Sequence, residues 1–302
     1  MQNIIIPPPL APGDKVLIIS PSGKIDKRLL KGLRERLESW GLDAILSKHA
    51  SAKSGTFAGT IKQRLGDIQY GLNSKEIKAI FCSRGGYGAI QLIEHIDLTQ
   101  FKLHPKWLVG YSDITNIHAL LQSNGFASIH APMARHFTVT PKEDLAIALL
   151  QKSLKLEPIH YTFRTHKYSI RKASEGVLIG GNLTVIQGLR STPIDLIPKG
   201  AILYLEDTNE SPNMIQRMFY NLKLSGILDQ LSGLIIGQFT DSIENKNISE
   251  EVYKKIHPLL KKYHYPICYN FPIGHVTRNY PIINGVKASL SIDKHTTELK
   301  FG

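Results

Sequence analysis

The chain has 302 residues, of which 42% are hydrophobic and 21% are charged. This composition supplies a buried core and excludes a disordered, collagen-like or disulfide-dependent protein. Its net charge of +12 favours an anionic partner, but charge alone does not distinguish a nucleic acid, an acidic surface and a small anionic substrate.

Two features of the sequence point to the cytoplasm. Cys82 and Cys268 both lie in apolar stretches, which is typical of reduced thiols in a cytosolic protein. Residues 1–10 lack the basic start and the apolar run of a signal peptide. No segment approaches the roughly 18 apolar residues that a membrane span needs. We therefore expect a cytoplasmic protein without a membrane segment.

Strands and helices alternate along the first half of the chain. Apolar runs and helical leucine or isoleucine spacing predict strands at 15–19, 42–46, 77–82 and 107–110, and helices at 27–39, 60–72, from 90 onward and at 114–122. Such alternation predicts an α/β fold with a mainly parallel sheet flanked by helices.

The second half of the chain predicts another domain. Periodicity weakens near residues 142–172, where charges and prolines accumulate, so we place a linker at 146–175. An N-terminal domain then covers 1–145 and a smaller C-terminal α/β domain with a mixed sheet covers 176–302. The C-terminal domain contains strongly apolar strands, at 201–205 and 233–237.

Ser112 lies between a buried predicted strand and the start of a helix. A hydroxyl there projects from a tight turn and suits a nucleophile. The backbone N–H of Asp113, with a second N–H from Gly85 or Gly86, would face an oxyanion forming on an attacked carbonyl. The same position also suits a helix-capping serine, because Asp113 is favourable near the positive end of a helix. Ile114 replaces the second glycine of the α/β-hydrolase elbow, so another serine-enzyme fold is needed.

A serine nucleophile needs a base, and histidine is the usual one. Among twelve histidines, His275 is distinguished by the preceding Phe-Pro-Ile-Gly segment, although a surface-loop histidine is the alternative. Glu206 follows a buried strand and would seek a cationic partner such as an imidazolium. Asp207 and Glu210 are alternatives for the acidic role, and a salt bridge or a helix cap would also explain this cluster.

Other motifs are incomplete. The turn at 83–88 lacks the Gly-Lys-Ser/Thr ending of a phosphate-binding loop. Ser-x-x-Lys occurs at 169–172 and 291–294 without the companion motifs of penicillin-recognising enzymes. The sequence contains no His-Glu-x-x-His or Cys-x-x-Cys motif, so a zinc site has little support, and no nucleic-acid motif is recognisable.

The order and spacing of seven short motifs resemble the LD-carboxypeptidases, serine peptidase family S66. The motifs are Ser22-Gly23, Phe57-Ala58-Gly59-Thr60 with Arg64, Arg84-Gly85-Gly86-Tyr87-Gly88, Gly110-Tyr111-Ser112-Asp113, Gly180-Gly181-Asn182-Leu183, Leu205-Glu206-Asp207 and Pro272-Ile273-Gly274-His275. The resemblance covers nearly the whole chain. One departure is Ala131, where the family often carries glycine.

The resemblance implies a two-domain α/β enzyme with a triad divided between the domains. Ser112 would be the nucleophile, Glu206 the orienting carboxylate and His275 the general base. The oxyanion hole would combine the Asp113 N–H with a glycine N–H of the Arg84-Gly85-Gly86 turn.

The family's usual activity implies release of the terminal D-alanine from murein tetrapeptides during cell-wall recycling, by a homodimer that needs no metal and no cofactor. We expect Arg84 and Tyr87 to contact this substrate, although a structural ion pair would equally explain Arg84. One alternative within the family is a microcin C immunity-type peptidase that hydrolyses a peptidyl-nucleotide bond. An alternative of another class is a basic, non-enzymatic nucleic-acid-binding protein.

Overall fold

A computed structural model describes residues 4–141, 143–195, 197–241 and 246–301. The chain forms two compact units. The N-terminal unit contains the described residues up to Glu157 together with Tyr280–Ile282, and the C-terminal unit contains Pro158–Asn279 and the described residues from Ile283 onward.

The N-terminal unit is built from alternating strands and helices. Its strands are β1 (Lys15–Ile19), β2 (Asp43–Leu46), β3 (Ile77–Cys82), β4 (Trp107–Gly110) and β5 (Ser128–His130). Its α-helices are α1 (Lys27–Glu38), α2 (Ile61–Asn73), α3 (Thr99–Leu103), α4 (Thr115–Ser123), α5 (Ala134–Val139) and α6 (Leu145–Leu154). Short 3₁₀ helices span Ala89–His95 and Ser112–Ile114.

The strands of the N-terminal unit are parallel and run in the order β5-β4-β3-β1-β2. Leu17, Ile80 and Leu108 are fully buried on three neighbouring strands. Burial of each such side chain contributes about 1.5–3 kcal/mol to folding. Because β1, β3 and β4 are parallel neighbours, their carboxyl ends lie side by side at one edge of the sheet.

The C-terminal unit has a mixed sheet. The strands of this sheet are β6 (Ile159–Arg164), β7 (Ala173–Asn182), β8 (Ile202–Thr208), β9 (Gly233–Asp241), β10 (Lys246–Asn247), β11 (Ile267–Tyr269), β13 (Lys287–Ile292) and β14 (Thr296–Phe301). Strand β12 (Ile282–Asn284), whose Ile282 belongs to the N-terminal unit, is instead part of the sheet that contains β5. The helices of the C-terminal unit are α7 (Leu183–Gly188), α8 (Pro212–Leu224), α9 (Ile227–Gln230) and α10 (Ser249–Leu260).

The mixed sheet runs β10-β9-β8-β7-β13-β14-β6, with β11 also paired to β9. The pairs β7–β8, β8–β9 and β9–β11 are parallel, whereas β13 and β14 pair antiparallel with their neighbours. The predicted α/β class, with a mainly parallel N-terminal sheet and a mixed C-terminal sheet, is confirmed.

Three segments differ from the sequence-based predictions. The segment 146–175, expected as a linker, contains most of α6 and all of β6, and the chain passes between the units at residues 157–158. The helix expected from residue 90 is the 3₁₀ helix Ala89–His95. Strand β8 continues through Glu206 and Asp207, which were expected to follow it.

Among the residues that the structure describes, no helix combines the length and apolar character needed to cross a bilayer.

Candidate active site

Ser112 occupies a strained position at the carboxyl end of β4. Its φ is +64°, in the left-handed region that costs a residue with a side chain about 1–2 kcal/mol. Tyr111 stands at the cap position of the 3₁₀ helix that Ser112 begins, so a role for Ser112 as the capping residue is not supported. A strained serine in a sharp strand-to-helix turn is the backbone arrangement that presents a nucleophile.

The glycine turn after β3 lies directly against Ser112. A methyl group added at Gly85 would stand 2.9 Å from Ser112 Cβ, 3.1 Å from Ser112 Oγ and 3.4 Å from the Asp113 nitrogen. Only glycine allows this approach. Gly86, with a φ of +107°, continues the turn in a conformation that glycine adopts readily. The structure thus brings together Ser112, the Asp113 backbone and the Gly85-Gly86 turn.

The Asp113 side chain has a different environment from its backbone. The carboxylate is buried and accepts hydrogen bonds from the Ala89 N–H at 2.8 Å and from Asn116 Nδ2 at 3.0 Å. Burial raises the pKa of Asp113, while the neighbouring Ser22 hydroxyl, these two donors and the Arg64 charge oppose that increase.

Arg64, which in the sequence is recognisable only as part of a motif, is a buried cation in the structure. Its Nη1 donates to Pro21 O at 2.9 Å and to Gly88 O at 2.8 Å, and its Nη2 donates to Gln91 Oε1 at 2.6 Å. The guanidinium also lies 5.0 Å from the centre of the Phe57 ring. The position of Arg64 in the first turn of α2, four residues after the N-cap Thr60, was readable from the sequence, but its burial was not.

The two expected substrate-contacting residues are both exposed. Arg84 donates from Nη1 to Lys24 O at 2.6 Å, which ties the glycine turn to the loop after β1. Tyr87 is 61% exposed, and its ring centre lies 6.2 Å from that of Phe57.

In the C-terminal unit, Glu206 and His275 form a hydrogen-bonded pair. Glu206 is completely buried in β8, and its Oε2 lies 2.9 Å from His275 Nδ1. A carboxylate can only accept here, so Nδ1 carries the proton and Nε2 is the basic nitrogen of the neutral ring. Burial by itself lowers the pKa of His275, but the charge of Glu206, its hydrogen bond and the charge of Asp207 together raise it above its ordinary value.

The two alternative carboxylates are placed differently. Asp207 accepts from Asn182 Nδ2 at 2.9 Å, and from the backbone N–H and hydroxyl of Thr184 at 2.8 and 2.7 Å. Burial and the charge of Glu206 raise the pKa of Asp207 to about 6. Glu210 lies beyond the end of β8, just before the Ser211 cap of α8. Of the three carboxylates, Glu206 is the one hydrogen-bonded to His275.

A tight loop carries His275 onto Glu206. Gly274 has a φ of +119°, and a methyl group there would stand 3.1 Å from Glu206 Oε2. The Gly274 N–H donates to Asn279 Oδ1 at 3.0 Å, and the Gln238 N–H donates to Ile273 O at 3.0 Å. These bonds fix both sides of the loop, so the close approach needs glycine at 274.

Metal ligation finds no support within the described residues, which contain no group of three or more His, Cys, Asp or Glu side chains arranged to hold an ion.

Two family models match the chain. A model described as the LD-carboxypeptidase N-terminal domain matches residues 16–131, and one described as the LD-carboxypeptidase C-terminal domain matches residues 175–290. The murein tetrapeptide carboxypeptidase of Pseudomonas aeruginosa is 30% identical over 88% of this chain and 89% of its own.

Solved structures share the fold over almost the full length. A muramoyltetrapeptide carboxypeptidase from Oxalobacter formigenes gives a TM-score of 0.85 at 24% identity, with 95% of this chain and 98% of the other covered. The microcin C7 self-immunity protein MccF, in complex with aspartyl sulfamoyl adenosine, gives 0.85 at 22% identity, with 98% of each chain covered. Both structures match the fold of this chain equally well, so the structural similarity does not distinguish a tetrapeptide carboxypeptidase from a microcin self-immunity protein.

Proposed function

Because the chain belongs to the LD-carboxypeptidase family, peptidase family S66, we propose that it releases the terminal D-alanine from murein tetrapeptides with a Ser112-His275-Glu206 triad. Membership of this family makes the chain a serine-type carboxypeptidase. The observation that supports the triad most directly is the buried Glu206 carboxylate 2.9 Å from His275 Nδ1.

The first half of the proposed reaction is acyl transfer. His275 Nε2 removes the proton from Ser112 Oγ, which attacks the carbonyl carbon of the residue before D-alanine. The carbonyl oxygen becomes negative, and the Asp113 N–H with an N–H of the Gly85-Gly86 turn stabilises it. The C–N bond then breaks, the histidine proton passes to the leaving nitrogen, and D-alanine departs.

The second half is hydrolysis of the ester on Ser112. His275 takes a proton from water, the hydroxide adds to the acyl carbon, and the proton returns to Ser112 Oγ as the peptide leaves. Glu206 remains ionised throughout, and its negative charge stabilises the imidazolium of His275 that forms in each half of the reaction. No step requires a metal or a cofactor.

Arg84 and Tyr87 are proposed substrate contacts on the same edge as Ser112. Murein tetrapeptides carry several carboxylates, and an exposed guanidinium in the glycine turn matches that chemistry. The Arg84 bond to Lys24 O would orient the guanidinium toward its ligand. We further propose that the enzyme acts in the cytoplasm, as a homodimer, on cell-wall fragments being recycled.

The microcin-type alternative is less well supported. MccF shares the fold at 22% identity, whereas the murein tetrapeptide carboxypeptidase is 30% identical. Membership of a peptidase family likewise favours an enzyme over the nucleic-acid-binding alternative.

Incubation of the purified chain with MurNAc-tetrapeptides tests the proposed substrate. We expect free D-alanine, measured by mass spectrometry, from a tetrapeptide with diaminopimelate or lysine in third position. A matched peptide ending in L-alanine should remain intact, because the scissile bond is then of the wrong stereochemistry. If the chain releases D-alanine from neither tetrapeptide but hydrolyses a peptidyl-adenylate analogue, the microcin-type peptidase activity replaces the proposed one.

A further inference from the structure

A buried polar network lies at the carboxyl edge of the N-terminal sheet, and the triad chemistry does not use its side chains. Its two charged members are the Asp113 carboxylate and the Arg64 guanidinium, which are 3% and 2% exposed. Burying a charge is costly unless it is well hydrogen-bonded, so a pair of buried charges at this edge calls for an explanation.

The Asp113 carboxylate joins segments that follow different strands. It accepts the N–H of Ala89, which begins the 3₁₀ helix after β3, and the side-chain amide of Asn116 in α4. The hydroxyl of Ser22, in the loop after β1, lies beside it and opposes the rise in its pKa. The carboxylate therefore connects the segment that follows β3 to the segment that follows β4, on either side of the Ser112 turn.

The Arg64 guanidinium joins the segment after β3 to a further segment, the loop after β1. It donates to Pro21 O, after β1, and to Gly88 O, after β3. A methyl group at Gly88 would stand 2.7 Å from Arg64 Nη1, so the turn is packed onto the guanidinium itself. The planar fork of arginine suits this arrangement, because it reaches several acceptors in fixed directions.

The Ser112 turn needs such restraint. A serine with a φ of +64° and a glycine turn within contact distance of its hydroxyl relax to lower-energy conformations unless neighbouring groups hold them. Oxyanion stabilisation depends on donors that are already in place before the reaction, so relaxation of either segment would weaken catalysis.

We propose that Arg64 and the Asp113 carboxylate are positioning residues that hold Ser112 and the Gly85-Gly86 turn in their reactive arrangement. This role rests on the proposed function, since it concerns the same nucleophile and oxyanion hole.

Lys106 provides a matched control for burial and hydrogen bonding. It is 1% exposed, lies in the same unit and donates to three carbonyls, those of Gly71, Leu72 and Ser74. It directly precedes β4, so it sits at the opposite end of that strand from Ser112. A network that served stability alone would make Arg64 and Lys106 equivalent.

The test compares Arg64→Gln, Asp113→Asn and Lys106→Gln in the full chain. Circular dichroism and thermal unfolding establish which variants fold. The main readout is the second-order rate constant for labelling of Ser112 by a fluorophosphonate, which reports the nucleophile and the oxyanion hole without the peptide substrate. Steady-state D-alanine release then separates kcat from KM.

We expect all three variants to unfold at lower temperature. Arg64→Gln and Asp113→Asn should label about 100-fold more slowly than the wild type and lose kcat with little change in KM, because the reacting groups are misplaced. Lys106→Gln should label at the wild-type rate. If Arg64→Gln does not fold, Arg64→Lys replaces it, and the same loss is expected because one ammonium cannot reproduce the planar fork.

Equal labelling rates in the folded Arg64 or Asp113 variants and the wild type would overturn the positioning role. A different failure belongs to the proposed function: a wild type that is labelled at Ser112 but releases no D-alanine rejects the substrate and leaves the comparison of labelling rates valid.

Discussion

At the scale of single residues, the buried charge of Glu206 controls the protonation of its neighbour His275. Glu206 has no solvent contact, so its charge is stabilised by its partners within the protein, among which His275 is held at 2.9 Å. The pair fixes the tautomer of the imidazole and raises its pKa. In the proposed mechanism, the buried carboxylate thereby holds His275 in the orientation of a general base.

Replacement of Glu206 by glutamine tests this coupling. In the proposed mechanism the neutral ring of His275 is the active form, so activity should rise with pH through the pKa of His275. Removal of the Glu206 charge lowers that pKa, and the acid limb of the kcat/KM profile should therefore move to lower pH. The maximal kcat should fall by about 10²–10⁴-fold, because the tautomer and the imidazolium lose their partner.

Glu298→Gln is the matched control, since Glu298 also lies beside a histidine, at 3.2 Å from His160, but on an exposed surface of the same unit. It should leave the pH profile unchanged. An acid limb that stays in place in Glu206→Gln would contradict the proposed coupling.

The sequence predicts candidate site residues best where they follow a recognisable buried strand or a distinctive turn. Ser112 and Glu206 were selected because each comes at the end of a buried apolar run, and His275 because glycine and proline precede it. The burial of Arg64 could not be predicted in the same way, because its partners Pro21, Gly88 and Gln91 are distant in sequence and carry no shared pattern.

At the scale of elements, the parallel sheet creates the site by bringing loops together. The turns after β3 and β4 meet because these strands are neighbours in register, with Ile80 opposite Leu108 and Phe81 opposite Val109. The resulting space is so narrow that a single methyl group at Gly85 would overlap the Ser112 side chain. Backbone proximity, rather than a side chain, therefore builds this part of the site.

Gly85→Ala measures the importance of that proximity. The added methyl group would lie 2.9 Å from Ser112 Cβ, closer than real contacts allow, and must displace the serine or the turn. We expect kcat for D-alanine release to fall by about 100-fold while the protein stays folded.

Gly66→Ala serves as its control, because Gly66 lies inside α2 and a methyl group added there would meet nothing within 4 Å beyond its chain neighbours and the backbone of its own helix. It should retain full activity and gain about 0.5–1 kcal/mol in the free energy of unfolding. Full activity in Gly85→Ala would show that the turn does not confine Ser112.

The predictability of elements followed the strength of their apolar patterns. Strands β1, β3 and β4 match the predicted bounds because each is a compact buried run between turn residues. In strand β6, Ile159 and Tyr161 face inward and His160 and Thr162 face outward. Charged residues around the strand obscure this alternation, so the sequence predicts a linker there. The extent of β8 was underestimated because two carboxylates in a fully buried strand contradict the usual pattern.

At the scale of the whole molecule, the positive charge is distributed along the entire chain. Residues 1–150 and 151–302 each carry an excess of six basic residues, which together make the net charge of +12. A field of one sign over a protein surface increases the rate at which oppositely charged ligands encounter it. The proposed substrate carries several carboxylates, so the positive charge of the protein should increase the rate at which it encounters this substrate.

Ionic strength is the direct test of this attraction. Raising the salt concentration to about 0.5 M shortens the range of the field, so kcat/KM for a muropeptide should fall several-fold while kcat changes little. An amidated muropeptide of lower charge should show a weaker dependence. Insensitivity of kcat/KM to salt for both substrates would remove the role assigned to net charge.

The two units divide the proposed triad between them, with Ser112 in one and the Glu206–His275 pair in the other. Ser112 is the member of the proposed triad that would form the covalent bond with the substrate, so its removal tests the mechanism most directly.

The measurement is D-alanine release by Ser112→Ala at saturating MurNAc-tetrapeptide, beside Ser191→Ala. Ser191 shares the left-handed backbone of Ser112, with a φ of +63°, but is an exposed residue of the C-terminal unit. Ser112→Ala should bind substrate and release no D-alanine above the uncatalysed rate, whereas Ser191→Ala should retain wild-type turnover. Wild-type turnover in folded Ser112→Ala would contradict the proposed mechanism.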